Sequence, residues 1–139
     1  MNKINFGRVV LGGLVAGLII NIGEFLLNEI VFVKQMEDLF REHNFPRPGT
    51  NFIAIAIGLT FLLGIVIVWL YAMIRPRLGA GPRTAIIAAF VAWFCVYFYC
   101  GILNSMIFGI APSYMLIGMV WGIVEYALGA IAGAWLYRE

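Results

Sequence analysis

The chain has 139 residues, 63% apolar and only 12% charged, with a mean hydropathy of +0.98 and a formal net charge of +2. Soluble domains carry about a quarter charged residues, so this composition excludes an ordinary soluble enzyme and indicates a membrane protein. No nucleic-acid partner is expected, and the bilayer itself is the first partner.

Crossing a hydrocarbon layer about 30 Å thick takes about 20 helical residues. Four runs are long enough: residues 9–33, 51–74, 84–108 and 113–137. They are too long and too uniformly apolar for the alternating strands of a barrel. The expected fold is an all-α integral membrane four-helix bundle, with residues 1–139 forming a single membrane domain and little chain left for a catalytic module.

Span one follows Lys3 and Arg8 as a secretory signal would, yet no small-residue cleavage site follows and an acidic patch interrupts its end. It is therefore read as retained. Gly13, Gly17, Asn21, Glu24 and Asn28 are spaced by four, four, three and four. On a helix they fall within roughly 80° of one another. Gly13 and Gly17 form a GxxxG step that admits a neighbouring backbone, and the same face then presents an amide, a carboxyl and a second amide. Glu29 is expected to be interfacial and solvated.

The first loop, "KQMEDLFREHNFPRPGT", places Met36, Leu39 and Phe40 at helical spacing opposite charges, then two prolines and a glycine. A short interfacial helix followed by a turn is expected. Asp38, Glu42 and His43 are read as a solvated helix face rather than a divalent-ion site. Span two offers Ala54, Gly58, Thr60 and Gly64, mostly small packing surface. The second loop, "RPRLGAGPR", carries Arg75, Arg77 and Arg83 among two prolines and two glycines. These arginines anchor the loop by the positive-inside rule or hold a lipid phosphate at the following helix start.

Counting Lys and Arg alone, Lys3, Arg8, Arg75, Arg77, Arg83 and Arg138 lie on one side, against Lys34, Arg41 and Arg47 on the other. This places both termini in the cytoplasm. "WLY" at 69–71 and again at 135–137 sets Trp and Tyr at a cytoplasmic span end beside arginines.

Span three repeats the stripe spacing with Ala89, Trp93, Tyr97, Cys100 and Asn104, and Ser105 adds a nearby hydroxyl. Cys95 and Cys100 point about 140° apart on a helix, which excludes a bridge between them and makes them small core residues. A tight hairpin, "GIAPS", leads to span four, where Gly118, Gly122, Glu125, Gly129 and Gly133 share one face. Aligning "GLIINIGEFLLN" (17–28) with "GMVWGIVEYALG" (118–129) matches Gly, Ile, Glu and Leu and pairs Phe with Tyr. This has the form of an inverted repeat, a common way to build a membrane site near the midplane. The glycine stripes pack equally well within the chain or between copies and membrane partners.

A charge at the membrane centre costs about 2.5–3.5 kcal/mol on insertion scales, and the four runs contain no Lys, Arg or His. Glu125 is therefore expected to be protonated at neutral pH. Glu24 is expected to be protonated, to share a proton or to meet an outside cation. Glu125 lies near the middle of span four, and Glu24 about four residues past the middle of span one, roughly 6 Å toward the exterior. With Asn21, Asn28, Tyr97 and Asn104 they suggest a polar pocket open outward and sealed inward. Three readings stay open: a binding pocket for a small ligand, lipid headgroup, cation or partner helix; proton-coupled transport; and purely structural hydrogen bonding between helices.

The only histidine, His43, lies in the first loop, which excludes bis-His haem ligation within the chain. Zincin and phosphate-loop motifs are missing, so no cofactor or metal is expected. Tyr97 with Glu125 is the only conceivable catalytic pair, and the protein is read as non-enzymatic. In "WLYAMIRPRLGAGPRTA" (69–85), "GAWLYRE" (133–139) and "GLVAGLIINIGEFLLN" (13–28) the chain resembles a group of small bacterial four-span membrane proteins with no assigned activity. The resemblance covers most of the chain except the first loop and implies topology but no chemistry. Four spans and an early glutamate also invite comparison with small multidrug exporters. The longer first loop, the glutamate in span four and the outward-only polarity depart from that pattern, and its mechanism is not carried over.

Overall fold

The computed structural model describes residues 4–137, so Lys3 and Arg138, both counted in the charge comparison, lie outside the described residues. Four helices are long and apolar enough to cross a membrane, Phe6–Val31, Thr50–Leu78, Pro82–Phe108 and Pro112–Leu136. No strand occurs among the described residues. The chain is a multi-pass, all-α four-helix bundle.

Local signals set the helix ends. Helix α1 (Phe6–Leu26) starts where the Asn5 side chain accepts from the Arg8 amide at 3.1 Å. A π-helical turn, Leu27–Val31, prolongs it. Helix α2 (Val33–Glu42) is the short amphipathic helix expected in the first loop, with Met36, Leu39 and Phe40 half-buried and Glu37 and Arg41 exposed. Exposed pairs of Arg41 with Asp38 and of Arg47 with Glu37 decorate it, each contributing at most about 1 kcal/mol.

Helix α3 (Thr50–Leu78) ends at Gly79. Pro82 opens α4 (Pro82–Trp93), occupying the helical position where a missing N–H costs least. A second π-helical stretch, Phe94–Cys100, joins α4 to α5 (Gly101–Phe108), which stops at Gly109 in the left-handed region. Pro112 then opens α6 (Pro112–Leu136).

Helices α1 and α6 form the central pair and run antiparallel. Gly12 packs on Gly133, Gly129 on Ala16, and Gly23 on Glu125. Small residues let these backbones approach closely, the main source of helix association where lipid is as apolar as the side chains. The neighbouring face of α1 seats on α3: an added Cβ at Gly64 would strike the backbone of Gly13 and Gly17. Gly13 and Gly17, the glycine end of the span-one stripe, therefore seat on span two, not on spans three and four. On the far side of α6, an alanine face of α4 (Ala85, Ala88, Ala89, Ala92) packs beside Tyr126, Ala130 and Ala134.

Helices α3 and α4 stay together near their connecting turn, where the Gly81 amide donates to the Tyr71 hydroxyl at 3.3 Å. At the other end the first turns of α3 stand clear, with Phe52, Ile55 and Leu59 each at least 60% exposed. Of the small residues expected to pack there, only Gly64 is buried. Ala54 and Gly58 are exposed and Thr60 is half-buried.

One further expectation is corrected. Cys95 and Cys100 are exposed rather than core residues. The WLY copies split, because Trp69 and Trp135 face outward while Tyr71 and Tyr137 are buried and meet edge to face at 6.1 Å.

Candidate functional site

The antiparallel packing of α1 on α6 brings the Glu24 and Glu125 carboxyls within reach of one hydroxyl. Between them stands Tyr97, carried by the π-helical stretch of span three. Its hydroxyl lies 2.7 Å from Glu24 Oε1 and 2.8 Å from Glu125 Oε1. Gly122 makes room for the phenol ring and Gly23 for the Glu125 carboxyl, because a Cβ at either position would overlap them. The ring also packs edge to face on Tyr126 at 5.5 Å.

The remaining carboxyl oxygens are served from their own helices. Asn28 Nδ2 donates to Glu24 Oε2 at 3.1 Å, and Trp121 Nε1 donates to Glu125 Oε2 at 3.1 Å. Trp121 Nε1 also reaches the Gly23 carbonyl at 3.1 Å, tying α6 to α1. Both π-helical turns border this cluster, one bearing Asn28 and the other Tyr97. Such turns are rare and are frequent at functional sites.

Counting protons bounds the chemical state. Two O···O contacts of hydrogen-bond length need two protons, and the phenol brings one. A carboxyl must supply the other, so at least one of the two glutamates holds a proton and the trio carries at most one negative charge. The phenol donates to one carboxyl and accepts from the other. Moving both protons along the two bonds exchanges the roles of Glu24 and Glu125 without displacing a heavy atom.

Glu125 also borders a groove of about 670 Å3 between α1 and α6. Its walls are apolar, chiefly Ile22, Leu26, Leu116, Val120, Val124 and Leu128, and Trp121 lies beside Glu125 at its polar spot. The volume falls within the range of about 300–1,000 Å3 usual for small-molecule sites. Toward the 79–81 turn the seam is filled by Gly12, Ala16, Val68 and Gly133 in contact.

Two of the expected site residues lie elsewhere. Asn104 is exposed and donates to the Cys100 carbonyl of its own helix at 2.8 Å. The π-helical stretch takes up one extra residue, so the inward position that α-helical spacing assigns to residue 104 passes to Ser105. Ser105 is buried and donates to the Ile102 carbonyl. Asn21 turns toward α3, donating to the Gly17 and Ile57 carbonyls at 3.0 and 3.4 Å.

Asn104→Ala should therefore change unfolding free energy by less than about 0.5 kcal/mol. Asn28→Ala should cost about 1–2 kcal/mol by removing a donor from Glu24. Equal costs in a detergent unfolding titration would contradict this placement.

Of the three arginines, Arg75 stacks over the Tyr137 ring at 5.6 Å, whereas Arg77 and Arg83 are exposed at the same end. Trp121 and Gly23 were missed. The signal for Trp121 was its position four residues before Glu125, one helical turn away on the same face. No family model, curated protein or solved structure matches the chain.

Proposed function

We propose that the protein is a non-enzymatic membrane binding protein for a small, largely apolar ligand, which lies in the α1–α6 groove with its one polar group at Glu125. The carrying observation is that the groove's polar spot is one end of the proton-sharing trio Glu125–Tyr97–Glu24. Purely structural bonding explains the trio but leaves the groove beside it unexplained.

The six-to-three split of Lys and Arg supports cytoplasmic termini and a site in the outer half of the membrane. The resemblance of residues 13–28 and 69–85 to small bacterial four-span proteins supports an inner-membrane location. The glycine stripes are occupied within the chain, which supports a folded unit that needs no second copy to fill them. Exposed Arg77 and Arg83 remain available for lipid phosphate.

Proton-coupled transport is the alternative that the bridge favours, since one phenol hydroxyl joins the two carboxyls. It requires a second form in which the seam at Gly12 and Gly133 opens.

Thermal unfolding with a panel of membrane-soluble compounds tests the binding reading. A ligand at a hundred times its Kd stabilises by about 2.7 kcal/mol. It should shift wild type but not Val120→Trp, whose added bulk fills the groove from an exposed wall position. If every stabiliser acts equally on both proteins, the groove is not the site.

A further inference from the structure

The face of α2 that bears Asp38 and Glu42 does more than meet solvent. Lys34, Asp38 and Glu42 follow one another at steps of four residues, about one helical turn each. They line a cavity of about 410 Å3 whose other wall is the turn from α5 into α6, with Phe108, Ala111 and Tyr114. It shares no lining residue with the α1–α6 groove, so a ligand here is independent of any ligand there.

Aromatic contacts fix how α2 lies across that turn. Two residues before Lys34, Phe32 meets Tyr114 of α6 edge to face at 5.8 Å, and directly after Glu42, His43 meets Phe108 of α5 edge to face at 5.9 Å. The cavity therefore has two poles. At one, Lys34 stands toward the start of α6, the positive end of that helix, where Ala111 supplies no side-chain cap. At the other, Glu42 stands toward the end of α5 at Gly109, where the helix dipole is negative. Asp38 lies between them and is shared with Arg41, whereas Lys34 and Glu42 make no ion pair among the described residues.

An anion alone would meet two carboxylates, and a cation alone would meet Lys34 and the start of α6. A metal ion is poorly served, because no three His, Cys, Asp or Glu side chains gather among the described residues. A short zwitterion suits both poles, with phosphate at Lys34 and an ammonium at Asp38 and Glu42. A primary ammonium brings three N–H donors for those carboxylates, which a quaternary one lacks.

We propose that this cavity holds the phosphoethanolamine head of a bilayer phospholipid, on the side of the membrane opposite the termini. The surroundings favour a lipid over a free zwitterion. Helix α2 is amphipathic, with Met36, Leu39 and Phe40 half-buried, as befits a helix at headgroup depth. Just before Phe108, Met106 and Ile107 are 77% and 72% exposed, an apolar surface along which acyl chains can run.

The test compares three lipids with identical dioleoyl chains and phosphoethanolamine, phosphocholine or phosphoglycerol heads. Each is titrated onto the full chain in detergent, and bound lipid is counted by native mass spectrometry. The phosphoethanolamine lipid should bind about fivefold or more tightly than either other lipid. Glu42→Gln should remove most of that preference, and Lys34→Gln should weaken all three lipids. Both side chains are exposed, so the variants should fold, and Glu37→Gln, off the cavity on the same helix, should change nothing.

Equal binding of the three lipids to wild type would overturn the assignment. So would a preference that survives Glu42→Gln, or one that Glu37→Gln removes as fully. Displacement of the lipid by an equal concentration of free O-phosphoethanolamine would make the ligand a soluble zwitterion and overturn the lipid assignment.

Discussion

Tyr97→Phe should lower the unfolding free energy by about 2–4 kcal/mol, although phenylalanine keeps the ring that packs on Gly122 and Tyr126. The loss comes from the hydroxyl alone. Removing it breaks two hydrogen bonds to acidic groups, each contributing about 1.5–3 kcal/mol when charge is involved. It also leaves two carboxyls facing each other across a gap with no donor between them.

Glu125→Gln made in the same chain should recover part of that loss, because an amide neither repels Glu24 nor needs the phenol proton. The combined change should then be smaller than the sum of the single changes, as expected for residues sharing one network. Reversible unfolding in mixed detergent micelles measures all three. A Tyr97→Phe effect below about 0.5 kcal/mol, the size of an ordinary surface change, would mean that the trio holds nothing together.

Gly64→Val should cost about 3 kcal/mol by a different route. A Cβ at residue 64 meets backbone, including Gly17 Cα at 2.7 Å, and backbone cannot rotate aside as a side chain can. Helices α1 and α3 must part, and overpacking of this kind costs about 1–3 kcal/mol, occasionally more. Gly58→Val on the same helix is the matched control, since nothing lies within 4 Å of its added Cβ. The control should unfold with a change of about 1 kcal/mol or less in either direction. Equal losses for the two variants would show that valine harms α3 through helix propensity and not through α1.

The sequence made several of these features legible for physical reasons. Four apolar runs of spanning length leave a chain this size no other fold, and glycine spacing marks the faces along which backbones meet. The stripe through Gly118, Gly122, Glu125, Gly129 and Gly133 is buried from end to end. Glu24, Glu125 and Tyr97 do converge, as unpaired acids in apolar surroundings must find donors.

What escaped detection depends on register. A π-helical stretch takes up one extra residue without any compositional mark, so α-helical counting chose Asn104 over Ser105 and turned Cys100 inward. Gly13 and Gly17 announce a close neighbour without naming it, and the neighbour is Gly64 of α3. Asn21 shares the glycine face and follows it to α3, while Glu24, one turn further, reaches Tyr97. The groove was invisible because its walls are ordinary lipid-facing residues until two helices set them side by side.

Infrared spectroscopy of the chain in lipid at neutral pH probes the shared proton most directly. The spectrum of wild type minus that of the Glu24→Gln, Glu125→Gln double variant should contain the C=O stretch of a protonated carboxylic acid. Its intensity should be that of at least one group per chain, as two hydrogen bonds to one phenol demand. Carboxylate bands alone would contradict the account, because both glutamates would then be ionised and one short contact to Tyr97 would have no proton in it.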